Sequence, residues 1–587
     1  MAQVRAESRP LSLQVLAAAG LAVLLGILAV PGSVLALEAD DIMIRLYERT
    51  RLGDLVERPL PPPRGAARPD VALRPVAQGD VSVALRRAGA ARTAVLADVG
   101  SAPSASRLVP EDLTRRAYVV HVAVEHYADA VFAEVAARIG ELEGFTAVAR
   151  VPAGSKWAPY LRIPNLAVIE LPGRHYIWTE DVLEIEVRGG FRMTPRVGDR
   201  SLLRRTLVVE RVRRFYPDVA SGEIEALAQF PTVSGEPPGE LPLQMRRQYP
   251  DTMFMLQGIV ERDAGHEVAA ALAVARRAPL REALTYLEGG NVLLGTLPGG
   301  EPYALVGRDS AAVSRAVLER HLRRPVGEAE TVATMAKDLG VTPARLFLVE
   351  QPGVFHLDMA MTLLRPGTVI LNDAVEAFRL QSRWLWEDHE RWRPAPDSGR
   401  RDEDYRSDVK RWQEAGRDLE ATLAKLWKYT ERFARYEART LADLQDAGLD
   451  VVRLPARFLH PARPWDRDVM NFLNGEAGTN PQGRTYFITQ GGDPRAERHV
   501  VAALLGPDIG LDRVYLAPRL VSRETLWEKG GAGCRLKFEG IALPPRPATG
   551  GRTDARATRV CFRCINGPDT VHDRVPHPSE EKTTWRN

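Results

Sequence analysis

The stretch Leu287-Glu288-Gly289-Gly290-Asn291-Val292-Leu293-Leu294-Gly295 places a carboxylate directly before two glycines and an apolar run. A second apolar run, Ala304–Val306, follows a short polar turn. Glycine has no Cβ, so the backbone at such a point can approach a ligand closely. The stretch therefore predicts Glu288 at a binding site between two strands. Taken alone, it also fits a hairpin turn with a solvated glutamate.

Outward from this stretch, short apolar runs alternate with amphipathic ones. Tyr118–Val124 is a buried-strand candidate, and Ala128–Leu142 has the period of a helix. Similar apolar runs predict further strands at residues 166–171, 303–306, 346–349, 368–371, 451–454, 485–488 and 514–516, and one near residues 81–85. The pattern predicts a mixed α+β fold. Residues 402–447 are charged and helix-favouring, and they predict a helical insertion within residues 376–447. This insertion either binds a partner or packs on its own domain.

Length and composition divide the chain into segments. At 587 residues it exceeds one ordinary domain. Residues 1–37 have a basic start, an apolar run and a small-residue site, which predicts a signal peptide or membrane anchor and hence an exported protein. Residues 38–114 are rich in Pro, Arg and Ala, and they predict a linker or small N-terminal segment. A catalytic domain over residues 115–545 and a C-terminal tail over 546–587 complete the division.

Charge and cysteine content exclude some function classes. The 79 basic and 76 acidic residues nearly cancel, so no nucleic-acid partner is expected, and membrane contact is expected only through residues 1–37. Cys561 and Cys564 form a C-x-x-C with no second pair, which argues against a structural zinc site. A disulfide or two reduced thiols remain open there. Cys534 is the remaining cysteine, and an odd number of cysteines in an exported chain implies a free thiol or an intermolecular disulfide.

His356 and Asp358 form an H-x-D pair between two predicted strands. If the pair is extended, side chains two residues apart share a face, so imidazole and carboxylate point into the same space. A histidine can then act as general acid and base while the carboxylate holds a cation. By itself, such a pair is equally typical of a surface or core histidine.

Two further fragments carry reactive or cation-binding groups. In Gly530-Gly531-Ala532-Gly533-Cys534, glycines allow a sharp turn that presents the thiol, which needs a nearby positive charge to act as a nucleophile. An inert buried cysteine is the alternative. Trp178 and Asp181 offer a π-face and a carboxylate, which suit a flat cation. A solvated strand end is the alternative here. Asp251 competes with Asp181 for this role, and we favour Asp181.

In chain order, W-x-x-D, E-G-G, H-x-D and the glycine-led cysteine resemble the guanidino-group-modifying superfamily. That superfamily includes peptidylarginine, arginine and agmatine deiminases, dimethylarginine hydrolases and amidinotransferases. The resemblance covers about residues 115–545. The Trp178–Asp181 fragment is most similar to the peptidylarginine and agmatine deiminases, and Glu288–Asn291 is similar to the E-G-G-[DN] of small-guanidine enzymes. The sequence departs from the pattern at Arg535-Leu536-Lys537, where small polar residues are usual.

The resemblance implies a five-bladed α/β propeller (the pentein fold) with a helical insertion. It also implies that Asp181 and Asp358, assisted by Glu288, hold a guanidinium, with Trp178 and Asn291 also at the substrate. Cys534 would then attack the guanidinium carbon and His356 would transfer protons, through a thiouronium intermediate. The implied partner is a guanidinium substrate, either a small molecule or a protein arginine. The chemistry needs no cofactor, and no metal site is expected.

The implied activity is a deiminase that releases ammonia and leaves a ureido product such as citrulline. An amidinotransferase of the same fold and a catalytically inactive propeller that serves as a binding module are the alternatives. The departure after Cys534 favours the inactive alternative. The guanidine used, calcium dependence and the oligomeric state remain open at this point.

Overall fold

Five small β-sheets dominate the described part of the computed structural model of the protein. All five share one pattern of parallel and antiparallel strand pairing. The structure describes residues 43–49, 55–60, 71, 73–96, 107–172, 178–187, 189–195, 200–216, 218–220, 222, 263–352, 356–395, 401–456, 470–527 and 530–543. The predicted signal segment (1–37), the predicted tail (546–587), Asp251, Cys561 and Cys564 lie outside the described residues.

The strands are β1 (Arg45–Arg49), β2 (Leu55–Pro59), β3 (Arg115–Ala123), β4 (Thr146–Pro152), β5 (Leu166–Leu171), β6 (Glu184–Ile185), β7 (Phe191–Met193), β8 (Leu280–Glu282), β9 (Val292–Thr296), β10 (Pro302–Gly307), β11 (Leu346–Val349), β12 (Met361–Leu363), β13 (Thr368–Asn372), β14 (Asp450–Leu454), β15 (Glu476–Thr479), β16 (Thr485–Thr489), β17 (Arg513–Leu516) and β18 (Leu536–Ala542). The helices are α1 (Gln78–Leu96), α2 (Tyr127–Glu143), α3 (Thr179–Val182), α4 (Arg200–Phe215), α5 (Asp263–Arg276), α6 (Arg308–Leu322), α7 (Glu328–Leu339), α8 (Ala374–Arg391), α9 (Asp402–Asp446), α10 (Pro494–Leu504), α11 (Arg519–Trp527) and α12 (Ala532–Arg535). Short 3-10 turns lie at Ala158–Tyr160, Gly289–Asn291 and Pro343–Arg345. The α+β prediction is confirmed.

Each sheet contains a three-strand unit in which the middle strand pairs antiparallel with one neighbour and parallel with the other. The units are β6–β7–β8, β9–β10–β11, β12–β13–β14, β15–β16–β17 and β18–β3–β4. A parallel pair requires a crossover connection, and helices lie between the parallel strands of every unit. The described residues therefore repeat a β-β-α-β unit five times.

The fifth unit joins the two ends of this region. Strand β18, which directly follows the helix of Cys534, pairs antiparallel with β3, so that Leu536 lies opposite Val122. Leu536 and Phe538 enter the apolar core beneath this sheet. Because strand side chains point to opposite faces in turn, Lys537 and Glu539 lie on the other face of the sheet. They are buried as well. The pairing brings the glycine-led cysteine beside β3, which lies near the start of this region of the chain.

Residues 43–96 contribute further elements to the described structure. Strands β1 and β2 form a hairpin, and β1 extends the β15–β16–β17 sheet by pairing antiparallel with β17. The strand predicted near residues 81–85 is wrong, because α1 covers these residues. Its alanine-rich sequence favours a helix, and Val81 and Ala88 are buried in one cluster with the alanines of α5.

The charged run predicted as a helix over residues 402–447 is helical from Asp402 to Asp446. It lies between β13 and β14 and packs against α8, with Phe378 and Trp427 in aromatic contact at 5.0 Å. Its last turns reach the rest of the fold, because Phe433, Tyr436 and Leu444 are buried. Among the described residues, no helix combines the length and apolar character that a bilayer span requires.

Candidate active site

The candidate nucleophile lies in a turn that only glycine can build. Cys534 belongs to the four-residue helix α12 and is 3% exposed. A Cβ on Gly530 would lie 2.8 Å from ring atoms of Trp178, and one on Gly531 would lie 2.5 Å from Oδ1 of Asn474. Both distances are shorter than van der Waals contact allows. The glycines therefore let this segment pass close to its neighbours and place the sulfur inside the molecule, as the sequence predicts.

His356 and Asp358 do not form the extended pair that the sequence predicts. They lie in a bend and turn that precede β12. The backbone N–H of Asp358 donates to the carbonyl of Gly290 at 3.1 Å, and the turn is fixed in this way. Their side chains nevertheless face the same space, because Nδ1 of His356 lies 3.9 Å from Oδ1 of Asp358. The two side chains do lie together, as predicted, although the local backbone prediction is wrong.

The two glycines after Glu288 allow a close approach of the backbone, as the sequence predicts. The groups that come close are other residues of the site. A Cβ on Gly290 would lie 2.7 Å from Cγ of His356 and 2.8 Å from Oδ1 of Asp358. A Cβ on Gly289 would lie 2.6 Å from the carbonyl carbon of Glu180. Glu288 itself is buried, and its Oε1 bonds Nε2 of His356. The E-G-G turn thus holds the imidazole from two sides.

Asp181 is placed by the short helix α3, not by a strand. Its Oδ1 lies 3.6 Å from Nδ1 of His356, and the residue is buried. The start of α3 is held by the buried Arg150, whose guanidinium donates to Oγ1 of Thr179 at 2.6 Å. Asp181, Glu288, His356 and Asp358 therefore converge on one site.

The sulfur completes the site from the other side of Asp358. Sγ of Cys534 lies 3.4 Å from Oδ2 of Asp358. Asn474, which sequence reasoning missed, donates from Nδ2 to Oδ2 of Asp358 at 2.8 Å and lies 3.3 Å from Sγ. Its Oδ1 accepts from the backbone N–H of Cys534 at 3.3 Å. The amide thus fixes both the carboxylate and the thiol.

These residues occupy equivalent places in the repeated units. Each stands two to four residues before the first strand of its unit: Asp181 before β6, Glu288 before β9, Asp358 before β12, Asn474 before β15 and Cys534 before β18. Each of the five units thus contributes a side chain to the same site from the same topological position. This equivalence is the signal that could have found Asn474.

The remaining two predicted residues lie beside the site in different ways. Trp178 packs on the apolar cluster that contains Cys534, and the guanidinium carbon of Arg535 lies 5.0 Å from its ring centre. Asn291 lies behind Glu288, with its Nδ2 3.5 Å from Oε2 of that residue, and it accepts from Gln351 at 3.4 Å. Trp178 thus packs beside the segment that carries Cys534, whereas Asn291 contacts Glu288.

The electrostatics of the site are those of a buried cluster of acidic groups. Burial raises the pKa of Asp358 well above its ordinary value, and the neighbouring Asp181 adds to this effect. Burial also raises the pKa of the Cys534 thiol, and the charges of Asp358 and Asp181 raise it further. A cation bound between these groups would act in the opposite direction on both. The site therefore favours a positively charged ligand, and such a ligand would favour the thiolate.

Within the described part of the chain, two groups of side chains have ligand atoms close enough to hold a cation. In one, Asp181, Glu288 and His356 have ligand atoms within 4.8 Å of one another, and in the other Glu111, Glu180 and Glu184 do. The ammonium of Lys537 already lies among the second group, 2.6 Å from Glu180 and 2.9 Å from Glu184. The first group is part of the site that contains Cys534.

Comparison with known proteins gives matches among solved structures. No protein-family description matches the chain. No curated protein matches it. A cysteine-to-serine variant of C. jejuni agmatine deiminase with substrate bound matches at 10% identity and a TM-score of 0.40, covering 74% of this chain and 97% of that one. The agmatine deiminase of Enterococcus faecalis matches at 10% identity and a TM-score of 0.40, covering 76% of this chain and 99% of that one.

Proposed function

We propose that this protein is a cysteine-dependent deiminase that hydrolyses a guanidinium group to a ureido product and ammonia. One observation carries the proposal: a thiol, an imidazole and three carboxylates from four distant parts of the chain meet in one buried site. A guanidinium is planar, always charged and rich in donors, so paired carboxylates recognise it well.

Asp181 and Asp358 are the groups that would hold the guanidinium. Oδ1 of Asp358 is buried and has no hydrogen-bond partner within the described residues, while its Oδ2 is held by Asn474. An unsatisfied buried carboxylate oxygen is costly, and a donor from the substrate would satisfy it. Because Oδ2 of the same group lies 3.4 Å from Sγ, a guanidinium bound at Oδ1 brings its carbon near the sulfur.

The reaction follows from these positions. The bound cation lowers the pKa of the Cys534 thiol, the thiol proton passes to His356, and the thiolate forms a bond to the guanidinium carbon. His356 donates a proton to one nitrogen, which leaves as ammonia, and a thiouronium intermediate remains. His356 then takes a proton from water, the oxygen bonds to the same carbon, and the carbon–sulfur bond breaks to give the ureido product.

Glu288 has the role of holding His356 for these transfers. Its bond to Nε2 leaves Nδ1 facing Asp181 and Asp358, the side on which the substrate would lie. A carboxylate in this position fixes the ring orientation and stabilises the imidazolium that forms. We assign Glu288 as a positioning residue, with Asp181 and Asp358 as the substrate ligands.

The five repeated units support a five-bladed propeller as the arrangement around this site. Each unit places a side chain at the site from the position before its first strand. The simplest arrangement that satisfies five equivalent contacts is a ring of units about a common centre. We propose this arrangement together with the function.

The decisive experiment compares the wild type with Cys534→Ala and with a control that lacks Cys561 and Cys564. We expect wild type and control to release ammonia and a ureido product from agmatine, arginine or a peptidylarginine. The Cys534→Ala variant is expected to be inactive with unchanged thermal stability. Activity that persists in Cys534→Ala refutes the assignment of the nucleophile.

Two further outcomes would replace the proposal. If the wild type forms product only when glycine or another amine is supplied, the protein is an amidinotransferase. If no guanidine reacts and a chloroacetamidine reagent does not label Cys534, the protein is a binding module. The substrate that gives the highest kcat/KM identifies the guanidine used.

We also propose that the protein is exported by residues 1–37, because that segment has a basic start, an apolar run and a small-residue site. Fractionation of cells expressing the full chain, with sequencing of the mature N-terminus, tests this. Recovery of the intact chain in the cytoplasm would refute it.

A further inference from the structure

Lys537 is a buried lysine that the proposed reaction does not use. It lies on β18, three residues after Cys534, within the segment that departs from the superfamily pattern. Its ammonium lies 2.6 Å from Glu180, 2.9 Å from Glu184 and 3.4 Å from Glu111. The residue is only 3% exposed. Lysines are almost never fully buried unless they are paired, and three carboxylates supply the pairing here.

The three glutamates belong to segments that carry other parts of the site. Glu180 directly precedes Asp181 in α3, and Glu184 begins β6. Glu111 is joined to β9, the strand after the E-G-G turn, since its N–H donates to the carbonyl of Leu294 at 2.7 Å and its Oε2 accepts from the N–H of Leu294 at 3.1 Å. One ammonium thus links the segments that carry Cys534, Asp181 and Glu288.

The packing leaves little freedom for these segments to move independently. The backbone carbonyl of Glu180 lies against Gly289, where a Cβ would be 2.6 Å from the carbonyl carbon. A displacement of Glu180 therefore moves Asp181 with it and pushes on the turn that holds Glu288. Active-site groups lose rate steeply when they are misplaced by even 1 Å.

The charges of this group depend on the lysine. Burial raises the pKa of Glu180, and it raises that of Glu184 to about 7, while Lys537 opposes both shifts. Burial also disfavours the charge on Lys537, but Glu180, Glu184 and Glu111 outweigh burial and raise its pKa. Without the ammonium, three carboxylates whose ligand atoms lie within 4.8 Å of one another would repel or take up protons. Either change would loosen α3.

We propose that Lys537 is a positioning residue that fixes Asp181 and Glu288 relative to Cys534 by holding Glu180, Glu184 and Glu111 together. The inference rests on the proposed function, because it concerns the geometry with which the site binds a cation beside the thiol. Lys537 contacts no reacting atom, so it acts only through the groups that it places.

The test uses two reagents that alkylate the same thiol in the full chain, with Cys561 and Cys564 replaced by serine. Chloroacetamidine is cationic and requires the acids to be in place, whereas iodoacetamide is neutral and reports only on the thiol. We expect Lys537→Met to lower the ratio of the two rate constants at least tenfold, with the iodoacetamide rate within threefold of the parent. KM for the guanidine should rise in parallel.

Two variants separate positioning from stability. Arg92→Met removes a partly buried cation, which pairs with Glu282 and with the carbonyls of Ala283 and Leu284, and should lower thermal stability without changing the ratio. The double variant Lys537→Met/Glu184→Gln removes one buried charge as well. It should recover stability but keep the lowered ratio, and it replaces the single variant if that one does not fold.

The outcomes distinguish the inference from the proposed function. A parent protein with no preference for the cationic reagent overturns the proposed function. A preference that survives Lys537→Met, or that the double variant restores together with stability, overturns only the role of Lys537.

Discussion

Gly290→Ala adds one methyl group at the point where the E-G-G turn meets the imidazole. The added Cβ would lie 2.7 Å from Cγ of His356 and 2.8 Å from Oδ1 of Asp358. Ordinary contact begins at 3.4 Å. Neither side chain can swing away into solvent, because His356 and Asp358 are both buried. The methyl group must therefore push the imidazole, the turn or both.

The expected loss follows from the size of that push. His356 must move by about 1 Å, and a misplacement of this size in a catalytic group costs about 100-fold in rate. Converted to free energy, the loss is about 2.7 kcal/mol of transition-state stabilisation. Because the atoms nearest to the added methyl group belong to His356 and Asp358, the reaction of Cys534 with neutral iodoacetamide should remain within threefold of the wild type. The effect is thus specific to the imidazole and the Asp358 carboxylate.

The assay is kcat/KM for ureido product formation, with thermal unfolding and iodoacetamide labelling measured on the same preparations. Gly327→Ala is the matched control, since a Cβ there meets nothing within 4 Å and φ is −76°. It should retain wild-type kcat/KM. If Gly290→Ala folds and keeps kcat/KM within threefold of the wild type, the proposed contact between the turn and His356 is wrong.

Two other substitutions test separate parts of the structure. Asn474→Ala removes the donor to Oδ2 of Asp358 and should lower kcat/KM by about tenfold or more, since hydrogen bonds to charged groups contribute about 1.5–3 kcal/mol; an unchanged kcat/KM contradicts this role. Burial raises the pKa of Glu437 from 4.5 to about 8, although Arg453 opposes the shift. The folded protein therefore holds an extra proton between these values, so this group's contribution to stability is complete below about pH 4.5 and is lost as pH rises through 8. Glu437→Gln should flatten the fall in Tm between pH 5 and 8, and a Tm profile parallel to the wild type would contradict the shift.

Local pattern predicted the regular elements well where burial and period agree. The apolar runs at residues 346–349 and 368–371 are strands β11 and β13, and the charged run from Asp402 is one helix. The exception is the run at residues 81–85, where alternation of small apolar and polar residues resembles a strand. In the structure these residues belong to α1, and Val81 is buried against α5. Tertiary packing therefore favours a helix over the strand that the local pattern predicts.

The sequence allowed the residues of the site to be predicted better than their positions relative to one another. Five reactive or charged residues were identifiable because each stands in a local motif of unusual composition. The turn at His356 was not predictable, because it depends on a hydrogen bond from Asp358 to Gly290 and on the bond between His356 and Glu288, which is 68 residues away in sequence. Lys537 was visible only as a departure, since its three glutamates are far from it in sequence.

Asn474 shows how topology adds to motif reasoning. Four units supply an acid, an acid, a histidine with an acid, and a thiol, each just before the first strand. The unit of β15–β17 must supply the remaining position, and Asn474 is the polar residue that occupies it. A neutral amide suits this place, because it donates to Asp358 and lies 3.3 Å from the sulfur. A further carboxylate here would raise the pKa of a thiol that burial, Asp358 and Asp181 already raise, and so would oppose the thiolate that the reaction requires.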